Sequence, residues 1–430
     1  MALIVQPTEI EIEKASNYLK QGNLVAFPTE TVYGLGADAL NEEAVKKIFQ
    51  YKDRPLNDPV IVHVEKYSQV QDLINLTEKE SKFYKHLTQN FWPGPLTIVA
   101  KATSKVPDII TAKSGFVGIR SPSHKVAHDL LKVSQLPIAA PSANRFGHVS
   151  PTTAQHVFED LGKYPITILD GGSTVVGIES TVMKLQEING KIQLTFLRKG
   201  AISPENIKES IKNIPEFNDI VEINVVQRVV DLKKKEEEQK AKENENENEN
   251  QNENQNENEN EVSPGLHITH YAPDKETYLI LNIDLKQDLK TDSNINPNIN
   301  LKNYSNINSN YEKKFTFSET VLIDFKSQFL DIKDKFFAYS DLSPNGDVEE
   351  SSVNLYSLLR WSETFPQTKV VILPEITQFF KNLTKNQKIP SILDALADRM
   401  FRASSGKTAF LDLHNYFVCV FSKLENLKEN

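Results

Sequence analysis

A chain of 430 residues, 39% hydrophobic and 9% aromatic, is long enough for two domains with cores of their own. Its formal net charge of −9 gives no support to a role centred on polyanions. The acidity is local: residues 243–261 hold eight Glu and no basic residue, which leaves the rest close to neutral and gives nothing global for a nucleic acid or a membrane surface to attract. The one cysteine, Cys419, excludes an intramolecular disulfide and a Cys-based zinc site, and fits a reducing compartment. Met1–Pro7 lacks the basic, apolar pattern of a leader, and no apolar run is long enough to span a bilayer, so a cytoplasmic protein is expected.

Thr8-Glu9-Ile10-Glu11 reads as a capping box opening a helix that runs to about Lys20. The apolar run Leu24–Phe27 is a strand, followed by a ligand-type loop, Pro28-Thr29-Glu30-Thr31-Val32-Tyr33-Gly34-Leu35-Gly36, and a helix near 42–50 capped by Asn41. The loop from Tyr51 to Pro59 carries two prolines that forbid regular structure. Strands are expected at 60–64, 96–99 and 116–120, with a helix near 78–90 and a rigid turn at Trp92-Pro93-Gly94-Pro95. Further strands begin at Ile138 and Ile166 and cover 178–182 and 194–198, and Thr152 is placed to cap a helix. This alternation, with polar residues gathered at strand ends, predicts an α/β fold built on an open twisted sheet with a site along one rim.

The first domain is set at residues 1–230. Residues 231–274 form a linker whose Lys/Glu and Glu/Asn repeats cannot bury a core and are expected to be disordered. The linker ends in Ser263-Pro264-Gly265 and His270-Tyr271-Ala272-Pro273, read as a lid. A smaller Rossmann-like α/β domain spans 275–430, with strands near 277–282, 320–325, 335–339, 368–373 and 416–422 and helices near 353–363 and 391–403. An Asn-rich loop at 291–311 interrupts it. Ser405-Gly406-Lys407-Thr408 ends like a phosphate-binding loop, but Phe401 stands where its first glycine belongs, so it is read as a helix end.

Several residues invite chemistry. Lys52 and Arg54, in a proline-bounded loop, suit a polyphosphate; the competing reading is a solvated basic pair. The loop placement also suggests that Arg54 can be replaced without loss of fold. His63 sits in a strand, where a structural histidine is the commoner outcome. Arg120 ends a strand, where it could clamp a carboxylate or form a rim salt bridge. Ser142 and Asn144 form a hydrogen-bonding turn of a common kind.

Taken together and in order, Pro28–Gly36, Lys52-Asp53-Arg54-Pro55, Pro141-Ser142-Ala143-Asn144 through Ser150-Pro151-Thr152, Glu179-Ser180-Thr181-Val182 and Leu197-Arg198-Lys199-Gly200 resemble the L-threonylcarbamoyl-adenylate synthases, the YrdC-domain family. The Ser263–Gly265 and His270–Pro273 signatures resemble the long, two-domain form. The resemblance implies a nucleotidyltransferase that joins L-threonine, bicarbonate and ATP, releases pyrophosphate, and supplies a partner complex that modifies tRNA. It implies that Lys52 and Arg54 are catalytic. With them, Asp58, Ser142, Asn144, Ser150, Arg198 and Tyr271 would hold ATP. Thr31, His63, Arg120, Ala140 and Ser180 would hold threonine, and Mg²⁺ would travel on the ATP phosphates without a protein metal site. Two alternatives remain open, an RNA-binding module on the same α/β domain and a carbamoyltransferase component.

Overall fold

The computed structural model describes residues 1–218, 220–225, 271–280, 313–380, 390–412 and 417–421. The expectations for the Glu/Asn insert, for Ser263–His270 and for the 291–311 loop lie outside the described residues. The chain divides into two compact units, Met1–Phe146 with Ser150–Ile268, and Gly147–Val149 with Thr269–Asn430.

The first unit is built on an eleven-stranded mixed sheet. Its strands are β1 (Leu3–Val5), β2 (Val25–Pro28), β3 (Tyr33–Asp38), β4 (Val62–His63), β5 (Leu96–Lys101), β6 (Phe116–Arg120), β7 (Ile138–Ala139), β8 (Thr167–Leu169), β9 (Thr181–Ile188), β10 (Lys191–Arg198) and β11 (Val221–Val225). They lie in the order β1-β8-β2-β3-β7-β4-β6-β5-β9-β10-β11. The helices start where short polar side chains can take their first free N–H groups: Thr8 caps Glu9–Lys20, Asn41 caps Glu42–Lys52, and Thr77 with Glu80 forms a full capping box on Glu78–Phe91. Their inward faces bury Leu19, Ile48, Phe83 and Leu87 against the sheet's apolar residues.

Three expectations shift: Thr153 rather than Thr152 caps the helix Ala154–Leu161, the strand expected at 178–182 runs from Thr181 to Ile188, and the third is larger. The stretch read as a loop after β2 is a hairpin, in which β3 pairs antiparallel with β2 from Val25↔Gly36 to Pro28↔Tyr33. Only Thr29–Val32 is left to turn the chain. Gly36 makes the pairing possible: a Cβ there would lie 2.7 Å from the Phe27 ring and 2.8 Å from Ile138.

The second unit holds a seven-stranded sheet: β12 (Glu276–Ile280), β13 (Lys313–Thr316), β14 (Thr320–Asp324), β15 (Ala338–Asp341), β16 (Val370–Leu373), β17 (Thr408–Asp412) and β18 (Phe417–Phe421), in the order β13-β18-β17-β12-β16-β14-β15. From β17 through β12, β16 and β14 to β15 it is parallel, with an antiparallel edge. Parallel strands need covering connections, and the helices Val348–Glu363 and Leu393–Ala403 supply them, as a Rossmann-like reading requires. Ser405 and Gly406 adopt positive φ just after the second of these helices, so the segment that imitates a phosphate loop is a helix terminus leading into β17. No helix among the described residues is long and apolar enough to cross a membrane.

Gly36→Ala should lower stability by about 1–3 kcal/mol, the range for overpacking a filled core. Denaturant unfolding of the two proteins checks it; an unchanged midpoint would mean that the β2–β3 hairpin does not pack against Phe27 as described.

Candidate active site

The sheet register lines up the polar residues of the central strands. His63 at the end of β4 pairs with Arg120 at the end of parallel β6. Antiparallel β5 meets β6 at Ile98↔Ile119, which sets Thr97 at the same level, and β5 meets β9 at Leu96↔Thr181, next to Ser180. Arg198 follows on β10, opposite Val182. His63, Arg120, Thr97, Ser180 and Arg198 thus form a row across neighbouring strands.

Arg120 is the centre of the row's first half. Its Nη2 lies 2.6 Å from Glu30 Oε1, with both side chains buried. Its Nη1 donates to Thr31 Oγ1 at 3.0 Å, and its Nε to the Gly94 carbonyl at 3.3 Å. Because Thr31 accepts from Arg120, its hydroxyl is left to donate to Thr29 Oγ1 at 2.8 Å, and Thr29 donates in turn to the Val32 carbonyl at 2.7 Å. The Thr29–Val32 turn is therefore fixed by a directed chain of hydrogen bonds that starts at the guanidinium.

His63 is buried beside this cation. Burial first, and the Arg120 charge second, push its pKa down to about 3, so the ring is neutral. Its Nδ1 is buried with no hydrogen-bond partner among the described residues. A neutral imidazole with an unused nitrogen beside a guanidinium can hydrogen-bond a ligand without repelling or neutralising it.

In the second half of the row, Arg198 donates through Nε to the Ser180 carbonyl and through Nη2 to Ser180 Oγ, both at 3.1 Å. Ser180 Oγ and Thr97 Oγ1 are 2.8 Å apart. Ser180, expected with threonine, and Arg198, expected with ATP, are thus directly bonded. Ser150 Oγ donates to Glu179 Oε1 at 2.6 Å.

A third group gathers around the helix Glu42–Lys52. The Lys52 Nζ is buried and donates to the carbonyls of Ser142, at 2.6 Å, and Asn144. Burial, and after it the Arg54 charge, hold this ammonium well below the usual lysine range. Ser142 Oγ donates to Asn144 Oδ1 at 2.5 Å, which closes the turn, and the Ala140 N–H that precedes it donates to the Ile61 carbonyl. Arg54 pairs with Asp58 at 2.8 Å, with side chains only 3% and 0% exposed, and donates through Nη2 to the Pro59 carbonyl. Phe146 lies under its guanidinium, 5.9 Å from carbon to ring centre. Against the expectation that Arg54 can be replaced without loss of fold stands this buried ion pair, which replacement of Arg54 would remove.

Tyr271 is placed in the second unit, where it is buried with its ring 5.8 Å from that of Tyr356 and 5.2 Å from the Arg399 guanidinium carbon. Among the described residues, one group of His, Asp and Glu side chains has the spacing of metal ligands: His148, Asp274 and Glu363, which also belong to the second unit. Glu363 there faces His148 Nε2 at 3.1 Å through both oxygens and accepts the Asp274 N–H at 2.7 Å.

Sequence reasoning passed over Glu30, Thr97 and the role of Glu179. Glu30 stood in plain sight between two threonines, but only the fold brings Arg120, ninety positions on, against it. Thr97 carried no local signal at all.

Known proteins resemble this chain. A family profile described as "Telomere recombination" matches residues 17–200, and one described as "Threonylcarbamoyl-AMP synthase, C-terminal domain" matches residues 202–405. The threonylcarbamoyl-AMP synthase of Pyrococcus abyssi is 38% identical over 272 residues, 63% of this chain and 68% of the relative. The chain belongs to the threonylcarbamoyl-AMP synthase family. The synthase of Bacillus subtilis is likewise 38% identical over 265 residues, which are 61% of this chain and 64% of that protein. A crystal structure of P. abyssi Sua5 complexed with L-threonine superposes with a TM-score of 0.66 at 30% identity, covering 94% of this chain and 97% of that one. The fold is that of this synthase family, and the two curated relatives carry the synthase name, which favours the main reading over the alternatives of an RNA-binding module and a carbamoyltransferase component.

The neutral, buried state of His63 carries a pH signature. Between about pH 6.5 and 3 the unfolded chain binds a proton that the folded chain does not, so stability rises with pH across that window and is lost as pH falls through it. His63→Gln should remove up to about 1.4 kcal/mol per pH unit from that slope. Urea unfolding at a series of pH values measures it; an unaltered slope would mean that His63 does not resist protonation.

Proposed function

We propose that the protein makes L-threonylcarbamoyl-adenylate from L-threonine, bicarbonate and ATP. The observation that carries the reading is the row of buried cations and hydroxyls in a chain of the synthase family. The threonine amine attacks bicarbonate to give a carbamate and water. A carbamate oxygen then attacks the α-phosphorus as the α–β bridging oxygen leaves with pyrophosphate. Charge builds on phosphate oxygens throughout, so the chain's task is to align and neutralise rather than to form a covalent intermediate.

In this reading Arg120 takes the amino-acid carboxylate, with Thr31, His63, the Ala140 backbone and Ser180 around the rest of threonine. Lys52, Arg54 and Arg198 face the phosphates, with Asp58, Ser142, Asn144 and Ser150 shaping the nucleotide side. Tyr271 of the second unit would complete the nucleotide set. Mg²⁺ would bind through the ATP phosphates, since Glu30 and Asp58 are each set against a guanidinium. The Arg198–Ser180–Thr97 contacts offer a route by which the two subsites sense each other. Residues 1–230 would carry the chemistry and 275–430 a supporting domain, in a cytoplasmic protein that hands its labile product to a tRNA-modifying complex. Contact with tRNA itself is not required for synthesis.

The test is pyrophosphate release by the purified full chain. Release should need threonine, bicarbonate and ATP together, and Arg120→Lys should raise the threonine KM about tenfold while moving the ATP KM far less, because a bidentate carboxylate contact is lost. Release independent of threonine would overturn the reading.

A further inference from the structure

We infer that Glu30 is a positioning residue for the amino-acid subsite, acting through Arg120; this rests on the assignment of Arg120 to the threonine carboxylate. A guanidinium buried as deeply as that of Arg120 needs a counter-charge, and Glu30 Oε1 supplies it at 2.6 Å. Glu30 is itself held from two sides. Its Oε2 accepts the Ser123 N–H at 3.0 Å, just beyond the strand that delivers Arg120, and its backbone carbonyl accepts the Val176 N–H at 2.8 Å. The neighbouring Thr31 takes the guanidinium's other terminal nitrogen. Three consecutive residues, Thr29-Glu30-Thr31, thus fix the cation's plane, its position and its charge balance.

The arrangement has a chemical use. Glu30 Oε1 and Arg120 Nη2 are both shielded from solvent, so the pair is an internal ion contact that water does not loosen, and in this inference Glu30 backs the guanidinium. It fixes the orientation of the remaining N–H groups without competing with an incoming carboxylate. A planar, bidentate partner tolerates little rotation of the guanidinium, so the loss of this support should weaken threonine binding selectively.

Full-chain wild type, Glu30→Gln, Glu30→Asp, Arg120→Gln and the double variant Glu30→Gln/Arg120→Gln are compared by threonine-dependent pyrophosphate release and by thermal unfolding. For Glu30→Gln the threonine KM should rise about tenfold with the ATP KM changed less than about twofold, and Glu30→Asp should recover part of that loss. Because Glu30 acts through Arg120, the double variant should be no worse in threonine KM than Arg120→Gln alone. Additive losses in the double variant, an unchanged threonine KM in Glu30→Gln, or equal rises in both KM values would overturn the proposal. If Glu30→Gln does not fold, the comparison of Glu30→Asp with wild type decides, since the shortened carboxylate keeps the charge and loses the reach. Wild-type release that ignores threonine would instead remove the assignment of Arg120, and this inference with it.

Discussion

A guanidinium buried in the centre of a sheet is the constraint to which the rest of the first unit answers. Taking Arg120 out of water is costly unless a counter-ion and hydrogen-bond acceptors meet it, and here Glu30, Thr31 and Gly94 each do. Those partners belong to a hairpin turn and to a proline-rich turn far away in sequence, so satisfying one cation fixes two loops at once. The same charge then acts on His63, helping to keep the imidazole neutral on the adjoining strand. One buried ion fixes a turn and a loop and adds to the burial that keeps a histidine neutral.

The nucleotide side follows a related logic with different partners. Lys52 spends its donors on the backbone carbonyls of the Ser142–Asn144 turn, and Arg54 spends its on Asp58 and Pro59. These contacts hold irregular backbone in place where helices and strands cannot. Phosphate oxygens are stronger acceptors than carbonyls, so cations stored on internal acceptors can be handed to a polyphosphate at the cost of the turn's own bonds. In the proposed function, exchange of this kind would couple nucleotide binding to the shape of the turn. Substitution of Arg54 is accordingly expected to touch stability as well as chemistry.

Much of this was legible in the sequence. Helices announced themselves through Thr8 and Asn41, and the alternation of apolar runs with polar strand ends gave the α/β class. The hairpin was not legible, because Gly34 and Gly36 lower strand propensity and imitate a ligand loop; only the close packing of Phe27 and Ile138 shows why glycine is needed there. Arg120 could be picked out by its place at a strand end, but its partner could not, since a carboxylate ninety residues earlier is brought to it by strand order alone. Thr97 was silent for the same reason: an alternating strand hides a polar residue that tertiary contacts recruit. The joining of Ser180 to Arg198 likewise follows from the β9–β10 register, which motif spacing does not encode.

The measurement that bears most directly on this account is a crystal structure of the full chain with L-threonine. The account predicts the amino acid's carboxylate against Arg120, with Glu30 still behind the guanidinium and the threonine side chain within reach of His63. Threonine bound elsewhere, with Arg120 and Glu30 facing only each other, would contradict it.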